Sequence, residues 1–291
     1  MSLSMFLVIF LEGLSASALL FLAAVGLSII FGLMDILNFS HGALFMSGAY
    51  VAMTIFHATG NFPLAVLAGG CAAALLGLVM ERLALRPLRG RPLYQAMVTI
   101  GVMLFLDQLV IEIWGPSLIS FSRWGPLAGM TAIMSGAISN YRLFLILVGL
   151  VVFLLMAGFL ASSRWGAMVR AGVENAGLLE GLGVNTGLLF TFTFGLGAFL
   201  AGVGGAVYGP FIRLVDPNLG LSILIDSFIV VVIGGFGSFG GTVLGSLLIG
   251  MLQAFIGYLS PGLTVMLNVV LMAVVLLIKP DGLMSVRRWR A

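Results

Sequence analysis

The sequence predicts an all-α protein, a polytopic transmembrane helical bundle with eight or nine membrane segments, some of them short or broken. Only 8% of the 291 residues are Asp, Glu, Lys or Arg and 61% are hydrophobic, which leaves too few charges to cover a soluble surface. The apolar runs approach the roughly 20 residues that a spanning helix needs, and they do not alternate as barrel strands do. Forty glycines suit close helix packing in a membrane.

The apolar stretches follow one another along the whole chain, with short breaks that contain charges, Gly or Pro. The first stretch is too long for a signal peptide and has no basic residue before it, so we expect a mature membrane segment. The stretches 41–57 and 222–236 are short, so each is a candidate for a re-entrant or broken segment as an alternative to a full span. The predicted segments are 5–33, 41–57, 63–85, 94–113, 142–161, 188–209, 222–236, 238–258 and 262–279.

Basic residues are unevenly distributed over the connections. Ten of the 13 lie on three connections that share one side if there are nine segments: Arg82, Arg86, Arg89 and Arg91; Arg164 and Arg170; Lys279, Arg287, Arg288 and Arg290. Because basic loops stay in the cytoplasm, we expect the N-terminus outside and the C-terminus inside. No connection is long enough to bury a core of its own, so residues 1–291 are expected to be one domain in the cell inner membrane.

Polar side chains break the apolar pattern after the first segment, at Asp35, Asn38, Ser40 and His41. One interpretation is a cytoplasmic turn in which Asn38 or Ser40 caps the next helix. The other is a break at membrane depth, which is tolerated only where it is buried in protein or lines a cavity. On that interpretation Asn38, Ser40 and His41 lie near a substrate pathway or its gate.

A glycine-rich stretch covers residues 234–241, and residues 235–240 match the pattern G-x-G-x-x-G. This pattern indicates dinucleotide binding only after a strand in a βαβ unit, whereas here it joins two apolar segments. We therefore predict a hinge with tight helix contact, with lining of the pathway as the alternative. The hinge glycines are Gly234, Gly235, Gly237, Gly240 and Gly241.

Ionisable residues inside apolar segments are costly and often functional. They are Glu12, Asp107, Glu112 and Asp226, of which Asp107 alone is expected to be deep enough to need a partner. A proton relay would need several such groups in line.

Enzymatic activity and cofactor binding have no support in the sequence. Two His and one Cys are too few and too scattered for a metal site. A phosphate-binding loop is excluded because the single lysine, Lys279, has no glycine-rich loop before it. ATP, if it drives this protein, must bind to another chain. The net charge of +3 comes from loops and does not indicate nucleic acid binding.

The connection 163–185 has the pattern of a short amphipathic helix. Its candidate apolar contacts are Met168, Ala171, Leu178 and Leu182, and its polar ones are Arg170, Glu174 and Asn175. Two interpretations remain open: a helix on the membrane surface, or a helix that docks into a cytoplasmic partner.

Four motifs resemble the LivH-type permease subunits of branched-chain amino-acid ABC transporters. Asn38-Phe39-Ser40-His41-Gly42 with Ser47-Gly48-Ala49-Tyr50 is similar to the "NFAHG…GAY" signature of this family, with Ser40 where Ala is commoner. Three further motifs are similar to segments of this chain: Arg164 to Asn185, Ile233 to Ser238 with Gly240 to Gly250, and Lys279-Pro280-Asp281-Gly282-Leu283. They occur in the family's order over almost the whole chain.

The resemblance implies a non-enzymatic permease that works with several partners. These are a second LivH- or LivM-like permease subunit, two cytoplasmic ABC ATPase subunits and an extracytoplasmic substrate-binding protein. The connection 162–187 would transmit ATPase closure to the bundle, through Arg164, Arg170, Glu174, Asn175, Gly183 and Asn185. The substrate stays open, because relatives carry branched-chain or other amino acids, urea or short amides.

Two other classes of function remain as alternatives at this stage. An ion-gradient-driven secondary transporter of a small polar solute would also be a glycine-rich bundle with broken helices. It would need buried acids such as Asp107 for coupling, and it would tolerate changes in the 162–187 connection. A channel or a structural membrane subunit would show no saturable, energy-dependent uptake.

Overall fold

The computed structural model describes residues 2–133 and 136–284, which form ten α-helices and four short strands. The helices are α1 (Leu3–Met34), α2 (His41–Thr59), α3 (Phe62–Met80), α4 (Pro92–Trp114), α5 (Asn140–Ser162), α6 (Arg164–Gly181), α7 (Thr186–Ile212), α8 (Leu219–Gly234), α9 (Phe239–Leu259) and α10 (Thr264–Ile278). The strands are β1 (Ile119–Ser120), β2 (Met130–Ile133), β3 (Gly136–Ser139) and β4 (Leu214–Val215).

The predicted helical membrane bundle is confirmed. Seven of the described helices, α1 to α5, α7 and α9, are long and apolar enough to cross a bilayer. The apolar helices α8 and α10 have only 16 and 15 residues. The predicted stretch 222–236 corresponds to α8 and is short as expected. The stretch 41–57 corresponds to α2, a continuous helix of 19 residues.

Helix α1 is the centre of the bundle. Its 32 residues make it about 48 Å long, which exceeds the thickness of a hydrocarbon core. It packs against α5, α7, α8 and α9, and nearly every residue from 19 to 33 is buried. A helix surrounded by protein has no solvent face, which explains why this part of the sequence is apolar all round.

Glycines bring the central helices together at backbone distance. Gly26 of α1 lies against Gly197 of α7, and Gly205 of α7 lies against the carbonyl of Phe45 in α2. A Cβ atom at any of these glycines would overlap the facing helix. Because lipid tails are as apolar as Leu, such close packing replaces the hydrophobic effect as the force that holds membrane helices together.

Two helices begin inside the bundle. The ring of His41, the first residue of α2, bonds the carbonyl of Ala23 at 2.8 Å, about 16 Å along α1 from its end at Met34. Gly220, near the start of α8, packs directly on Gly42 of α2. The connections to α2 and α8 therefore enter the bundle from opposite ends and meet inside it.

The described basic residues divide between the two ends of the bundle. Arg82, Arg86, Arg89, Arg91, Arg164, Arg170 and Lys279 lie at the end that carries α6, and Arg123, Arg142 and Arg213 lie at the other. Arg287, Arg288 and Arg290 are outside the described residues. The start of α1 contacts β2 and β3, whereas residues 283–284 bond α8 at the α6 end. The two ends of the described chain are thus at opposite ends of the bundle, in agreement with an odd number of crossings.

The end opposite α6 is closed by short strands and by Arg123. β1 pairs with β4, and β2 pairs with β3, both antiparallel. The Arg123 guanidinium donates to the Ser139 hydroxyl at 2.8 Å and to the carbonyls of Pro210 and Phe211 at the end of α7. Partial burial and the positive charge of Arg213 lower the pKa of Arg123. The side chain nevertheless stays charged, and it satisfies carbonyls that the end of α7 leaves free.

The glycine contacts predict a difference between two Gly→Ala substitutions. Gly205→Ala places a methyl group against the backbone of α2, and we expect it to destabilise the protein by about 1–3 kcal/mol, as overpacking does. The measurement is thermal unfolding of the detergent-solubilised protein.

The matched control is Gly101→Ala in α4, where a Cβ would meet nothing within 4 Å. It should be neutral or slightly stabilising, because Ala favours a helix by about 0.8–1 kcal/mol over Gly. Equal effects of the two substitutions would contradict the proposed role of close packing.

Candidate functional site

The connection between α1 and α2, residues 35–40, carries the polar side chains that the sequence singles out. Asp35 follows α1 in the left-handed region, with φ 54°, and turns the chain back into the bundle. Asn38, Ser40 and His41 are each 0% exposed. The chain therefore brings the three side chains together within the protein, away from both ends of the bundle.

Hydrogen bonds join these side chains to their surroundings. The Ser40 hydroxyl donates to Asn38 Oδ1 at 2.6 Å and lies 3.1 Å from the sulfur of Met80. Ser40 occupies the position before α2, but it makes no side-chain bond to the first N–H groups of the helix. The interpretation of Ser40 as a side-chain cap is therefore wrong, because no N–H group in the first turn of α2 bonds its hydroxyl.

Two polar atoms in this group have no hydrogen-bond partner among the described residues, namely Asn38 Nδ2 and His41 Nδ1. His41 Nε2 donates to the Ala23 carbonyl, which leaves Nδ1 as an acceptor on the neutral ring. A buried donor or acceptor without a partner costs about 1–3 kcal/mol. A free donor and a free acceptor are what a polar solute or a water molecule could use.

Helix α4 supports the backbone of this connection through Thr99. The Thr99 hydroxyl accepts a hydrogen bond from Phe39 N–H at 3.1 Å and lies 3.3 Å from the carbonyl of Leu37. Thr99 is fully buried. Nothing in the sequence pattern indicates this contact, because a single Thr in an apolar helix is common.

A buried carboxylate lies directly after Met80. The α3 helix continues into a π-helical turn, Glu81–Leu85, and Glu81 in this turn is 0% exposed. Glu81 Oε2 accepts a hydrogen bond from the Thr191 hydroxyl of α7 at 2.6 Å, and Glu81 Oε1 lies 3.4 Å from the Arg89 guanidinium. We call Glu81, Arg89 and Thr191 the Glu81 cluster. Single π turns within helices occur frequently at functional sites.

Arg89 extends the Glu81 cluster to the start of α7. Its guanidinium donates to the carbonyl of Gly187 at 3.3 Å and lies 4.5 Å from the centre of the Phe190 ring. The cluster therefore ties the end of α3 to the first turns of α7. The sequence analysis missed it, although an acid at the end of an apolar segment with an Arg eight positions later was a visible signal.

Helix α6 crosses the basic end of the bundle. Its inward side is made of small and apolar residues: Gly166 packs on the backbone of α5, and Gly172 packs on Leu33 of α1. Arg164, Arg170 and Glu174 are exposed. Predicted apolar contacts also face outwards, because Leu178 is 69% and Leu182 is 82% exposed. Ala171 is exposed as well, whereas Met168 packs partly against the bundle.

The three remaining residues predicted in this connection shape its backbone. Asn175 breaks α6 with φ −158°, and its side chain accepts from Leu178 N–H at 3.0 Å. Gly183 has φ 84°, a conformation that favours glycine. The Asn185 side chain accepts from Leu188 N–H at 3.0 Å and caps α7. The six predicted coupling residues thus divide into an exposed charged group and a group that directs the chain into α7.

The predicted hinge glycines form a tight turn between α8 and α9. Gly235 and Gly237 have φ 104° and 74°, and Gly234 packs on the backbone of Gly241. Gly237 lies against Gly32 of α1, whereas Gly240 faces the side chain of Met284. Leu283 N–H and Met284 N–H bond the carbonyls of Ile233 and Gly234 at 2.8 and 2.9 Å. The turn is therefore enclosed by α1 and by the end of the described chain.

A cavity of about 530 Å³ lies between α5, α6 and this turn. Arg170 and Glu174 provide charge in its lining, and most of the rest is apolar. The cavity connects the exposed side of α6 with the glycine turn, so two of the predicted regions face the same space.

The ionisable residues of the apolar segments have different surroundings. Glu12 pairs with Arg142 at 3.4 Å, and Glu112 accepts from Gln108 at 3.2 Å. Asp107 has a buried oxygen that lacks a partner among the described residues. Asp226 accepts from Asn268 at 3.1 Å. No group of three His, Cys, Asp or Glu within residues 2–133 and 136–284 could hold a metal ion.

The sequence matches a family model described as branched-chain amino acid transport system / permease component, over residues 9–278. The high-affinity branched-chain amino acid transport system permease protein LivH of Escherichia coli is 30% identical over 293 residues, which cover 94% of each chain. The corresponding BraD protein of Pseudomonas aeruginosa is 33% identical over 263 residues, 84% of each chain. A probable LivH protein of Methanocaldococcus jannaschii is 27% identical over 292 residues, 93% of this chain and 90% of that one.

No solved structure matches the fold. The family match covers α1 from Ile9 onwards and α2 to α10 in full, and the relatives are similar over most of their own length. The LivH resemblance seen in the motifs is confirmed, and the chain belongs to the family of permease components of branched-chain amino acid transport systems.

Proposed function

We propose that this chain is a membrane-spanning permease subunit of an ABC importer that takes up amino acids, in particular branched-chain amino acids. The observation that carries the proposal is the family match over residues 9–278, together with relatives whose names state this transport. The whole chain, residues 1–291, acts as one transport domain in the inner membrane. It performs no chemistry itself, and ATP is hydrolysed by separate subunits.

In this proposal the chain works with three kinds of protein: a second LivH- or LivM-like permease subunit, two cytoplasmic ATPase subunits and an extracytoplasmic substrate-binding protein. The lipid bilayer surrounds the permease subunits. The basic end of the bundle, which carries α6, faces the cytoplasm, because basic loops are retained there. The N-terminus is then outside and the C-terminus inside.

The connection 162–187, which contains α6, docks onto an ATPase subunit. Support comes from its exposed side chains, which are charged at Arg170 and Glu174 and apolar at Leu178 and Leu182. Exposed Leu side chains next to charges at the end of a bundle are typical of a protein contact site. Membrane-surface binding is the other interpretation of this helix.

The gate is formed by Asn38, Ser40 and His41, and the glycines at 234, 235, 237, 240 and 241 are the hinge. The unpaired Asn38 Nδ2 and His41 Nδ1 support the first assignment, because they offer a donor and an acceptor to a passing solute. Positive φ angles at Gly235 and Gly237 support the hinge assignment, because glycine adopts both positive and negative φ angles at low cost.

Family membership favours this function over an ion-gradient-driven transporter. A secondary transporter would need its buried acids for coupling. Asp107 lies on α4, a helix that packs mainly on α2, and its buried oxygen has no partner among the described residues. The permease proposal needs no such relay.

We expect Arg170→Ala with Glu174→Ala to release the ATPase from the complex. The two side chains are exposed one turn apart on α6, so their loss removes surface contacts without disturbing the fold. The measurement is affinity purification of the tagged chain from its native host, with mass-spectrometric identification of a P-loop ATPase.

The matched control is Gln108→Ala with Glu112→Ala, a polar pair at the same spacing on the exposed side of α4. This variant should retain the ATPase. The ABC proposal would be contradicted if the unmodified chain is purified without an ATPase and its uptake is lost when the ion gradient is removed.

The Glu81 cluster should transmit the movement of α6 to the gate, because it joins the start of α7 to the residue next to Met80. Glu81→Gln keeps the size and the acceptor for Thr191 but removes the charge that pairs with Arg89. We expect a loss of stability of about 1–3 kcal/mol, less than for a fully buried pair because Arg89 keeps some contact with solvent. Uptake should fall at least about tenfold while the ATPase still co-purifies.

Thr191→Val is the milder companion variant, because it removes one hydrogen bond to the carboxylate, leaves the Glu81–Arg89 pair in place and keeps the shape of the side chain. Its effect on uptake should be smaller than that of Glu81→Gln. Normal uptake by a folded Glu81→Gln complex would show that the cluster has no part in coupling.

A further inference from the structure

The outer part of α8 has one side that is not covered by the rest of the chain. Leu219 and Gly220 are buried against α2, whereas Leu221 and Ile225 are 51% and 52% exposed and Ser222 is exposed between them. Because α8 starts inside the bundle, the backbone before it lies at membrane depth. Such backbone is tolerated only where it is buried in protein or lines a water-filled cavity.

A carboxylate lies on this side of α8. Asp226 is one turn after Ser222 and is partly exposed. A charged side chain in the membrane is costly when it faces lipid, so it normally faces a cavity or another protein group. The pairing of a hydroxyl and a carboxylate on one short helix argues that this side of α8 meets water rather than lipid tails.

A chain of amide side chains holds Asp226 in place. Gln253 of α9 donates to Asn268 Oδ1 at 2.9 Å, and Asn268 of α10 donates to Asp226 Oδ1 at 3.1 Å. The donors all point towards the carboxylate, so the chain ends at an acceptor with unused capacity. The ion pairs among the described residues are Arg89–Glu81 and Arg142–Glu12, and neither neutralises Asp226.

We propose that the exposed side of α8 lines the substrate path and that Asp226 accepts hydrogen bonds from the ammonium group of the amino acid in transit. This inference rests on the proposed transport function. Gln253 and Asn268 are positioning residues, because they orient the carboxylate and do not contact the solute. Ser222, one turn earlier, is the polar neighbour on the same side.

The first experiment tests whether this side of α8 is exposed to water. Ser222→Cys is made in a Cys71→Ser background, because Cys71 is a free and exposed thiol. The assembled complex in membranes is treated with cationic and with anionic water-soluble methanethiosulfonate reagents. We expect labelling at least about tenfold faster than at Leu154→Cys, a control on the outward side of α5 where the side chain is 57% exposed.

The charge of Asp226 should also appear in the labelling rates. Ser222→Cys leaves Asp226 and its amide chain intact, so the cationic reagent should be favoured over the anionic one. Adding Asp226→Asn should reduce this preference several-fold, a readout that a merely structural role would not move. Two results would overturn the proposal. One is that Ser222→Cys reacts with a lipid-soluble maleimide but not with the water-soluble reagents, and the other is that Asp226→Asn leaves the preference for the cationic reagent unchanged.

Uptake provides the second readout. Asp226→Asn should lower the initial uptake rate by about tenfold or more, as the loss of one charge-assisted hydrogen bond does, and Asp226→Glu should retain more activity. Uptake and ATPase co-purification are measured on the same preparations. One outcome is that uptake and co-purification show an ATP-driven importer while Ser222→Cys is labelled no faster than Leu154→Cys. That outcome refutes the Asp226 site and leaves the importer proposal intact. If uptake is independent of ATP but Ser222→Cys shows the expected labelling rates, the importer proposal fails, whereas the inference that this side of α8 faces water is supported.

Discussion

The constraint behind this structure is that backbone N–H and C=O groups find no water inside a bilayer, while two helices start within the bundle. The starts of α2 and α8 must therefore be covered by protein. The ring of His41 ties the start of α2 to the carbonyl of Ala23 in α1, and Gly42 and Gly220 bring the two starts into direct backbone contact. Only residues without a Cβ allow that approach, so the many central glycines follow from the position of the two helix starts.

The same arrangement concentrates polar side chains at depth. The connection before α2 carries Asn38 and His41 with one unpaired atom each, and the first turns of α8 lead to Asp226. Groups of this kind lower stability unless a solute, water or partner uses them, which is the usual reason for their presence at functional sites. A few dipoles and one carboxylate suit a zwitterionic solute better than a series of fixed charges would, because the solute must also leave.

A continuous set of contacts connects the exposed end of the bundle with this interior. α6 leads through the cap at Asn185 into α7, and α7 is held to the end of α3 by Glu81 and Thr191. The residue before Glu81 is Met80, whose sulfur contacts Ser40. A displacement of α6 can therefore reach the connection before α2 through packed elements. On the other side of α6, the cavity that includes Arg170 leads to the glycine turn before α9.

The sequence by itself determined the fold class, the approximate membrane segments, the uneven distribution of basic residues and the family, because hydropathy and short motifs are local properties. It also located the polar break at Asn38 to His41 and the surface segment α6. Only the tertiary structure decided that Ser40 bonds Asn38 instead of capping α2, that Glu81 is a buried partner of Arg89, and that Asp226 ends a chain of amides. These features depend on residues from different helices, and their spacing in the sequence contains no information about which helices pack together.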